Sequence, residues 1–140
     1  MLLNKKKKKK VFHVIEKLND EEGGLYNIVK NIFQFLPEIE NYIITAKIKN
    51  KQILKQFDYK VYLLSNLIKK FIIFNKIKPD LIHIHGIWSP VNTIMSFYAL
   101  YKKIPLIISP QGMLEPWSLN EKKIKKLIFF HLLWKFLLLT

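Results

Sequence analysis

Residues 83–88 (His-Ile-His-Gly-Ile-Trp) contain two histidines, whose side chains can bind a metal or a ligand or transfer a proton. Side chains two positions apart on a strand share a face, so His83 and His85 are expected on the same side of a sheet. Two imidazoles do not complete a zinc site, and no carboxylate or third histidine lies nearby in sequence, so we predict no metal. We expect His83 to be buried and hydrogen-bonded, and His85 to face a ligand from the carboxyl end of its strand.

Two further groups of residues complete this candidate site. Trp88 follows the histidine strand and is either a stacking platform for a sugar or a core aromatic. Residues 109–113 (Ser-Pro-Gln-Gly-Met) end another apolar run, and Gly112 permits a sharp turn that presents Gln111 at the same crevice as His85. An amide cannot act as a general base, so Gln111 is expected to hold a hydroxylated ligand or to be an ordinary loop residue.

A pair of glycines, Gly23 and Gly24, lies between the first strand pattern and the first helix pattern. Glycine lets the backbone approach a ligand closely, and the start of a helix offers unpaired amides that favour a phosphate. The other interpretation is a flexible turn, since the pair lacks the three spaced glycines of the dinucleotide fingerprint. Both interpretations stay open at this point.

Apolar strand-like runs alternate with amphipathic segments of helix length, and these elements must position the candidate residues. Pro37 and Pro79 mark the ends of the first two helices. Continuous apolar strands alternating with helices predict an α/β fold, a Rossmann-like parallel sheet flanked by helices. The predicted strands are residues 11–16, 42–47, 59–64, 81–85 and 105–109, and the predicted helices are residues 25–36, 67–77 and 91–102.

The last part of the chain is predicted to be one long helix, with Ser118 and Glu121 at capping-box spacing. Lysines surround its start, and residues 127–139 are apolar apart from His131 and Lys135. This stretch is too short to span a membrane and too apolar for a helix surrounded by water. We expect it to pack against its own domain, a partner domain, another subunit or a bilayer surface.

Length and composition limit the number of domains and the class of partner that this protein can have. The chain has 140 residues, half of them hydrophobic, which suits one domain rather than two full ones, and it has no cysteine for disulfides or thiolate metal sites. Its net charge of +14 includes 24 lysines and no arginine. Because arginine is the residue that reads bases and phosphates bidentately, this composition argues against a nucleic-acid partner.

Residues 1–10 are predicted to be a basic tail, with the domain over residues 11–140. A signal peptide carries its apolar stretch after the basic residues, whereas here lysines 5–10 lead straight into a strand pattern, so secretion is not expected. The lysine run is either a solvated tail or a weak tether to an anionic bilayer, at about 1 kcal/mol per lysine.

Four segments, taken in order, resemble the N-terminal half of retaining glycosyltransferases of family 4. They are residues 11–16 (Val-Phe-His-Val-Ile-Glu), the Gly-Gly pair, residues 79–90 (Pro-Asp-Leu-Ile-His-Ile-His-Gly-Ile-Trp-Ser-Pro) and residues 108–117 (Ile-Ser-Pro-Gln-Gly-Met-Leu-Glu-Pro-Trp). The resemblance implies the GT-B architecture, in which two Rossmann-like domains face a cleft. It also implies transfer of a sugar from a nucleotide-sugar to a glycan or lipid-linked acceptor, as in polysaccharide biosynthesis, with neither metal nor cofactor.

The resemblance assigns roles to the candidate residues. It implies that Gly23 and Gly24 approach the pyrophosphate of the donor. Many members carry a histidine near the reacting carbon in the loop after the next strand, and this chain has Gln111 at that position, so no catalytic residue is assigned. Contacts with the acceptor or the sugar are expected from His85, Trp88, Gln111 and Met113.

The C-terminal half of the family's architecture has no counterpart after Trp117. In the family, that half holds most of the nucleotide-sugar site, including two glutamates separated by seven residues. We therefore expect a truncated acceptor-side domain, cytoplasmic or peripheral at the inner face of a membrane, that is inactive without a separately encoded donor domain. The alternative is a non-catalytic fragment, or a membrane-surface module that binds anionic lipid through the lysine tail and the apolar last helix.

Overall fold

Strands and helices alternate along the chain in the computed structural model, which describes residues 7–19, 24–50, 60–64, 67–121, 123–129 and 131. The strands are β1 (Lys10–Leu18), β2 (Glu40–Ile48), β3 (Lys60–Leu63), β4 (Leu81–His85) and β5 (Leu106–Ser109). The helices are α1 (Gly24–Phe35), α2 (Leu67–Ile77), α3 (Pro90–Lys102), α4 (Pro116–Asn120) and α5 (Lys123–Phe129).

The five strands form one parallel sheet in the order β3-β2-β1-β4-β5. β1 lies at the centre and pairs with β2 on one side and with β4 on the other. The chain therefore winds outward from β1 in both directions, as Rossmann-like sheets do. This confirms the predicted α/β class.

Each face of the sheet packs on different helices. Because side chains alternate along a strand, Phe12 and Val14 of β1 point to one face, where they join a core with Phe74 of α2 and Met95 of α3. Ile15 belongs to a second core cluster. That cluster is completed by residues of the neighbouring elements: Leu18, Ile43 of β2, and Tyr26, Val29 and Phe33 of α1.

The start of β1 is fixed to the loop before β4. The backbone N–H of Lys10 donates to Asp80 Oδ2 at 2.9 Å, and Lys9 Nζ lies 3.0 Å from Asp80 Oδ1. These hydrogen bonds, the backbone bond first, hold the pKa of the Asp80 carboxyl below its usual value. Lys8 Nζ also donates to the carbonyl of Pro37 at 2.9 Å. The last part of the lysine run thus contacts the folded domain, while residues 1–6 lie outside the described chain.

The predicted capping box at the start of the last helix is wrong. Helix α4 begins at Pro116, which suits proline because the first turn of a helix leaves its N–H groups unbonded anyway. Ser118 consequently lies inside α4, and Glu121 follows its end, where the chain turns before α5. Residues 132–140 of the apolar stretch lie outside the described chain. No helix within the described ranges has both the length and the apolar character to cross a membrane.

Candidate functional site

A cavity of about 440 Å³ opens at the carboxyl ends of β1 and β4. Parallel sheets bind ligands at this edge, because the loops that follow neighbouring strands meet there. Its lining combines acidic, basic, amide and aromatic side chains. It comprises Glu16, Lys17 and Asn19 at the carboxyl end of β1, Leu25 and Tyr26 of α1, His85, Trp88, Ser89 and Asn92 around the start of α3, and Met113, Ser118 and Lys126 from the last part of the chain.

The loop after β4 is shaped by Gly86 and Met113. Gly86 has φ +89°, a conformation that side chains rarely adopt, and a Cβ there would lie 2.8 Å from Met113 Cε. Two hydrogen bonds join this loop to Met113: Trp88 Nε1 donates to its carbonyl at 3.1 Å, and the N–H of Ile87 contacts its Sδ at 3.4 Å. The two segments singled out in the sequence therefore meet in one wall of the cavity.

Asn92 holds the same loop from the first turn of α3. Ser89 caps this helix by accepting the N–H of Asn92 at 3.3 Å, with Pro90 in the first turn. The side-chain amide of Asn92 donates to the carbonyls of His85 and Gly86 at 3.2 and 2.9 Å. Its Oδ1 is buried and accepts no hydrogen bond from the described residues. Asn92 thus stabilises the loop and leaves one buried acceptor beside the cavity.

Three histidines lie together on the α1 face of the sheet. The pairing of β1 with β4 sets His13 beside His83, and His85 follows two residues on. His13 Nδ1 lies 3.2 Å from His85 Nε2, and His13 Nε2 lies 3.1 Å from Asn41 Oδ1. His83 Nε2 lies 2.7 Å from Ser109 Oγ at the edge of the group. We call His13, His83 and His85 the histidine cluster.

Burial keeps the histidine cluster uncharged near neutral pH. The pKa of His13 is lowered to about 4, because the lowering by desolvation is larger than the rise caused by its hydrogen bond with Asn41. The pKa of His85 falls to about 3, first through burial and then through repulsion from the other two imidazoles. Burial also lowers the pKa of the less buried His83. All three rings are therefore neutral and offer lone pairs at physiological pH.

Lysines and one carboxylate give the cavity its charge. Lys126 Nζ donates to the carbonyl of Ser118 and lies 5.7 Å from the centroid of the Trp88 ring. Glu16 and Lys17 also line the cavity, at the end of β1. The cavity thus combines lysines, which suit an anionic ligand, with a carboxylate, which accepts hydrogen bonds from hydroxyl groups.

The sequence-predicted site residues divide into three sets. His85, Trp88 and Met113 come together in the cavity wall. Gly24 is the first residue of α1, and a Cβ there would meet no described atom within 4 Å, whereas Gly23 lies outside the described chain. Gln111 lies exposed in the turn after β5 with φ 56° and is not among the residues that line the cavity.

Sequence reasoning missed several residues that this site contains. His13 was passed over because its neighbour His83 is 70 positions away along the chain, and only the pairing of β1 with β4 brings them together. The strand alternation that placed His83 and His85 on one face would also place His13 on a face with Ile15, had the pairing partner been known. Asn92 and Lys126 carried no sequence signal, since an amide and a lysine inside helical patterns are ordinary surface residues.

Comparison with protein-family models, with curated proteins and with solved structures gives no match to this chain.

Proposed function

We propose that this chain is the acceptor-side domain of a retaining glycosyltransferase of the GT-B architecture. In this proposal it contributes to the transfer of a sugar from a nucleotide-sugar to a glycan or lipid-linked acceptor, together with a separately encoded donor domain. The observation that carries the proposal is the contact between Trp88 and Met113 in one cavity wall, at 3.1 Å. It joins two of the four segments whose motifs resemble the family, residues 79–90 and 108–117.

The size and chemistry of the cavity support a sugar-containing ligand. About 440 Å³ falls within the usual range for small-molecule sites. The Glu16 carboxylate is an acceptor for sugar hydroxyls, and Trp88 offers an aromatic edge or face. Lys126 supplies a cation for phosphate, whether on the donor or on a lipid-linked acceptor.

Ligand binding tests this proposal before any transfer is measured. We expect nucleotide-sugars or phosphorylated glycan acceptors to raise the melting temperature of the chain and to show saturation-transfer signals in NMR. Lys126→Gln should weaken binding of a phosphorylated ligand roughly 10-fold or more, because a charge-assisted hydrogen bond is lost. Lys102→Gln is the matched control, since its Nζ lies 5.2 Å from the Tyr101 ring, a similar cation–π contact far from the cavity.

Transfer itself is tested by mixing the chain with a separately expressed donor domain. Sugar transfer in the mixture, with none from either chain alone, is the expected result. If no ligand of either class binds, or if Lys126→Gln and Lys102→Gln behave alike, the proposed site is wrong. If the chain binds these ligands but the mixture transfers no sugar, the proposal that the activity is shared with a separately encoded donor domain is wrong.

An exposed apolar and basic surface favours a second candidate function, binding to an anionic membrane surface. On α4 and α5, Trp117 and Ile124 are 68% and 75% exposed, and Leu127 and Ile128 are about half exposed. Lys123, the first residue of α5, is also exposed. Apolar side chains beside lysines are the combination that lies in the interface of an anionic bilayer.

Sedimentation with anionic vesicles at low and at high salt tests this second function. We expect binding that weakens with salt, since electrostatic attraction of lysines is screened. Ile124→Ser should reduce it, whereas Ile72→Ser, a comparable change on α2 at a position 54% exposed, should not. Equal binding to neutral vesicles, or equal effects of the two variants, would contradict it.

A further inference from the structure

We propose that the histidine cluster is a binding site for a divalent metal ion of the Zn²⁺ type, a property separate from the proposed sugar transfer. One ring nitrogen from each of His13, His83 and His85 lies within 4.8 Å of the other two. Nitrogen ligands at the usual Zn–N distance in a tetrahedral site are about 3.4 Å apart. His13 Nδ1 and His85 Nε2, at 3.2 Å, already stand at that separation.

The surroundings of His13 match what a metal-bound histidine requires. A ligating imidazole usually donates its other N–H to an oxygen, which fixes the tautomer and the orientation of the ring. His13 Nε2 lies 3.1 Å from Asn41 Oδ1, and an amide oxygen accepts, so the proton of His13 resides on Nε2. The lone pair of Nδ1 therefore points toward His85.

His85 supplies a second ligand nitrogen, Nε2. Only 1% of its surface is exposed, and its Nδ1 has no hydrogen-bond partner among the described residues. When no metal is bound, His85 Nε2 can donate to His13 Nδ1, and either tautomer of the ring leaves the buried Nδ1 without a partner among the described residues. Burial keeps the three imidazoles uncharged, so a cation does not compete with a second proton on each ring, and at His85 the remaining proton moves from Nε2 to Nδ1 when the metal binds.

The ligand set also indicates the class of metal and the type of site. Imidazole nitrogen suits Zn²⁺ and its transition-metal neighbours, whereas Mg²⁺ and Ca²⁺ require oxygen ligands. His83 is the least buried member, and its Nε2 lies 2.7 Å from Ser109 Oγ. Three imidazoles bound through one nitrogen each leave the fourth position of a tetrahedral site for water. Three histidines with an open position are typical of zinc sites that carry out chemistry rather than of closed structural sites.

Zinc binding to the full chain, expressed without a histidine tag, tests the proposal. Competition with a chromophoric chelator should give one equivalent of Zn²⁺ per chain, and Co²⁺ should give the visible absorption of a four- or five-coordinate nitrogen site. His83→Gln should weaken Zn²⁺ binding by at least about 100-fold, beyond the range that outer-shell changes cost. His131→Gln removes the fourth histidine of the chain and is the matched control.

Asn41 provides a second variant that keeps all three histidines. Asn41→Ala should weaken Zn²⁺ binding about 10- to 100-fold, and Asn41→Asp should restore it, because a carboxylate also accepts the His13 N–H. Circular dichroism checks that each variant is folded, and the Asn41 pair decides the question if His83→Gln does not fold. The proposal is overturned if the wild type binds less than one equivalent, if His131→Gln weakens binding as much as His83→Gln, or if Asn41→Ala binds as tightly as the wild type.

Discussion

Mild acid should destabilise this protein through the buried histidines of the cluster. In the unfolded chain, imidazoles take up protons as the pH falls through about 6.5, their ordinary pKa. In the folded protein, His13 and His85 stay neutral until the pH approaches about 4 and about 3. The unfolded state therefore binds more protons across this window, and the free energy of unfolding falls as the pH falls.

The size of the effect follows from these pKa values. Between about pH 7.5 and about pH 5, each of the two histidines should cost about 2 kcal/mol, or about 4 kcal/mol together. His83 acts in the same direction, because burial lowers its pKa too. A loss of about 4 kcal/mol is a large part of the usual stability of a domain, 5 to 15 kcal/mol, so partial unfolding near about pH 5 is expected.

Urea unfolding at several pH values in that range, with a chelator present to remove metal, measures this loss. The hydrogen-bonded carboxyls do not interfere, because Asp80 and Glu40 have ordinary pKa values of 3.8 and 4.5 and lose their stabilising effect only in stronger acid. His13→Gln removes one titrating group and keeps a partner for Asn41, so its loss over the same range should be about 2 kcal/mol. A flat profile for the wild type, or the same profile for His13→Gln, would refute the reasoning.

Three further predictions concern stability alone. Gly86→Ala should cost about 1 to 3 kcal/mol in urea unfolding, from its positive φ and the contact with Met113, whereas Gly112→Ala, with φ +74° and open space around it, should cost only the backbone strain. Asn92→Ala should cost about 2 to 4 kcal/mol, because two buried carbonyls lose their donor, and equal stability to the wild type would contradict this. Asp80→Asn should lower the free energy of unfolding by less than about 1 kcal/mol, which gives a slightly lower melting temperature. The difference from the wild type should shrink in high salt.

The fold was predictable because its signals are local. The strand at residues 81–85 and the helix at residues 67–77 are bounded by proline and by abrupt changes of polarity, and both match the structure. Continuous apolar strands with helices between them specify a parallel sheet before any pairing is known. The prediction failed at Ser118, where the capping-box pattern competed with Pro116, and the proline determined where the helix begins.

The site was only partly predictable because its contacts are not local. His85 and Trp88 were identified, since the end of a strand and the loop after it can be read from the sequence. Sequence spacing gave no way to tell that His13 lies beside His83, and the missing third histidine was the ground for predicting no metal. This reason no longer applies, because β1 is the central strand of the sheet and places His13 in the histidine cluster.

The central place of β1 also has a consequence for synthesis on the ribosome. β1 ends at Leu18 and its second neighbour, β4, begins at Leu81, so 63 positions (81 − 18) separate them. At about 5 to 20 residues per second, one edge of β1 waits roughly 3 to 13 seconds for its partner. An apolar strand with an open edge invites pairing between nascent chains, and charged residues beside it oppose this. Lys10 and Lys17, at either end of the apolar run, are placed to protect the growing polypeptide during that interval.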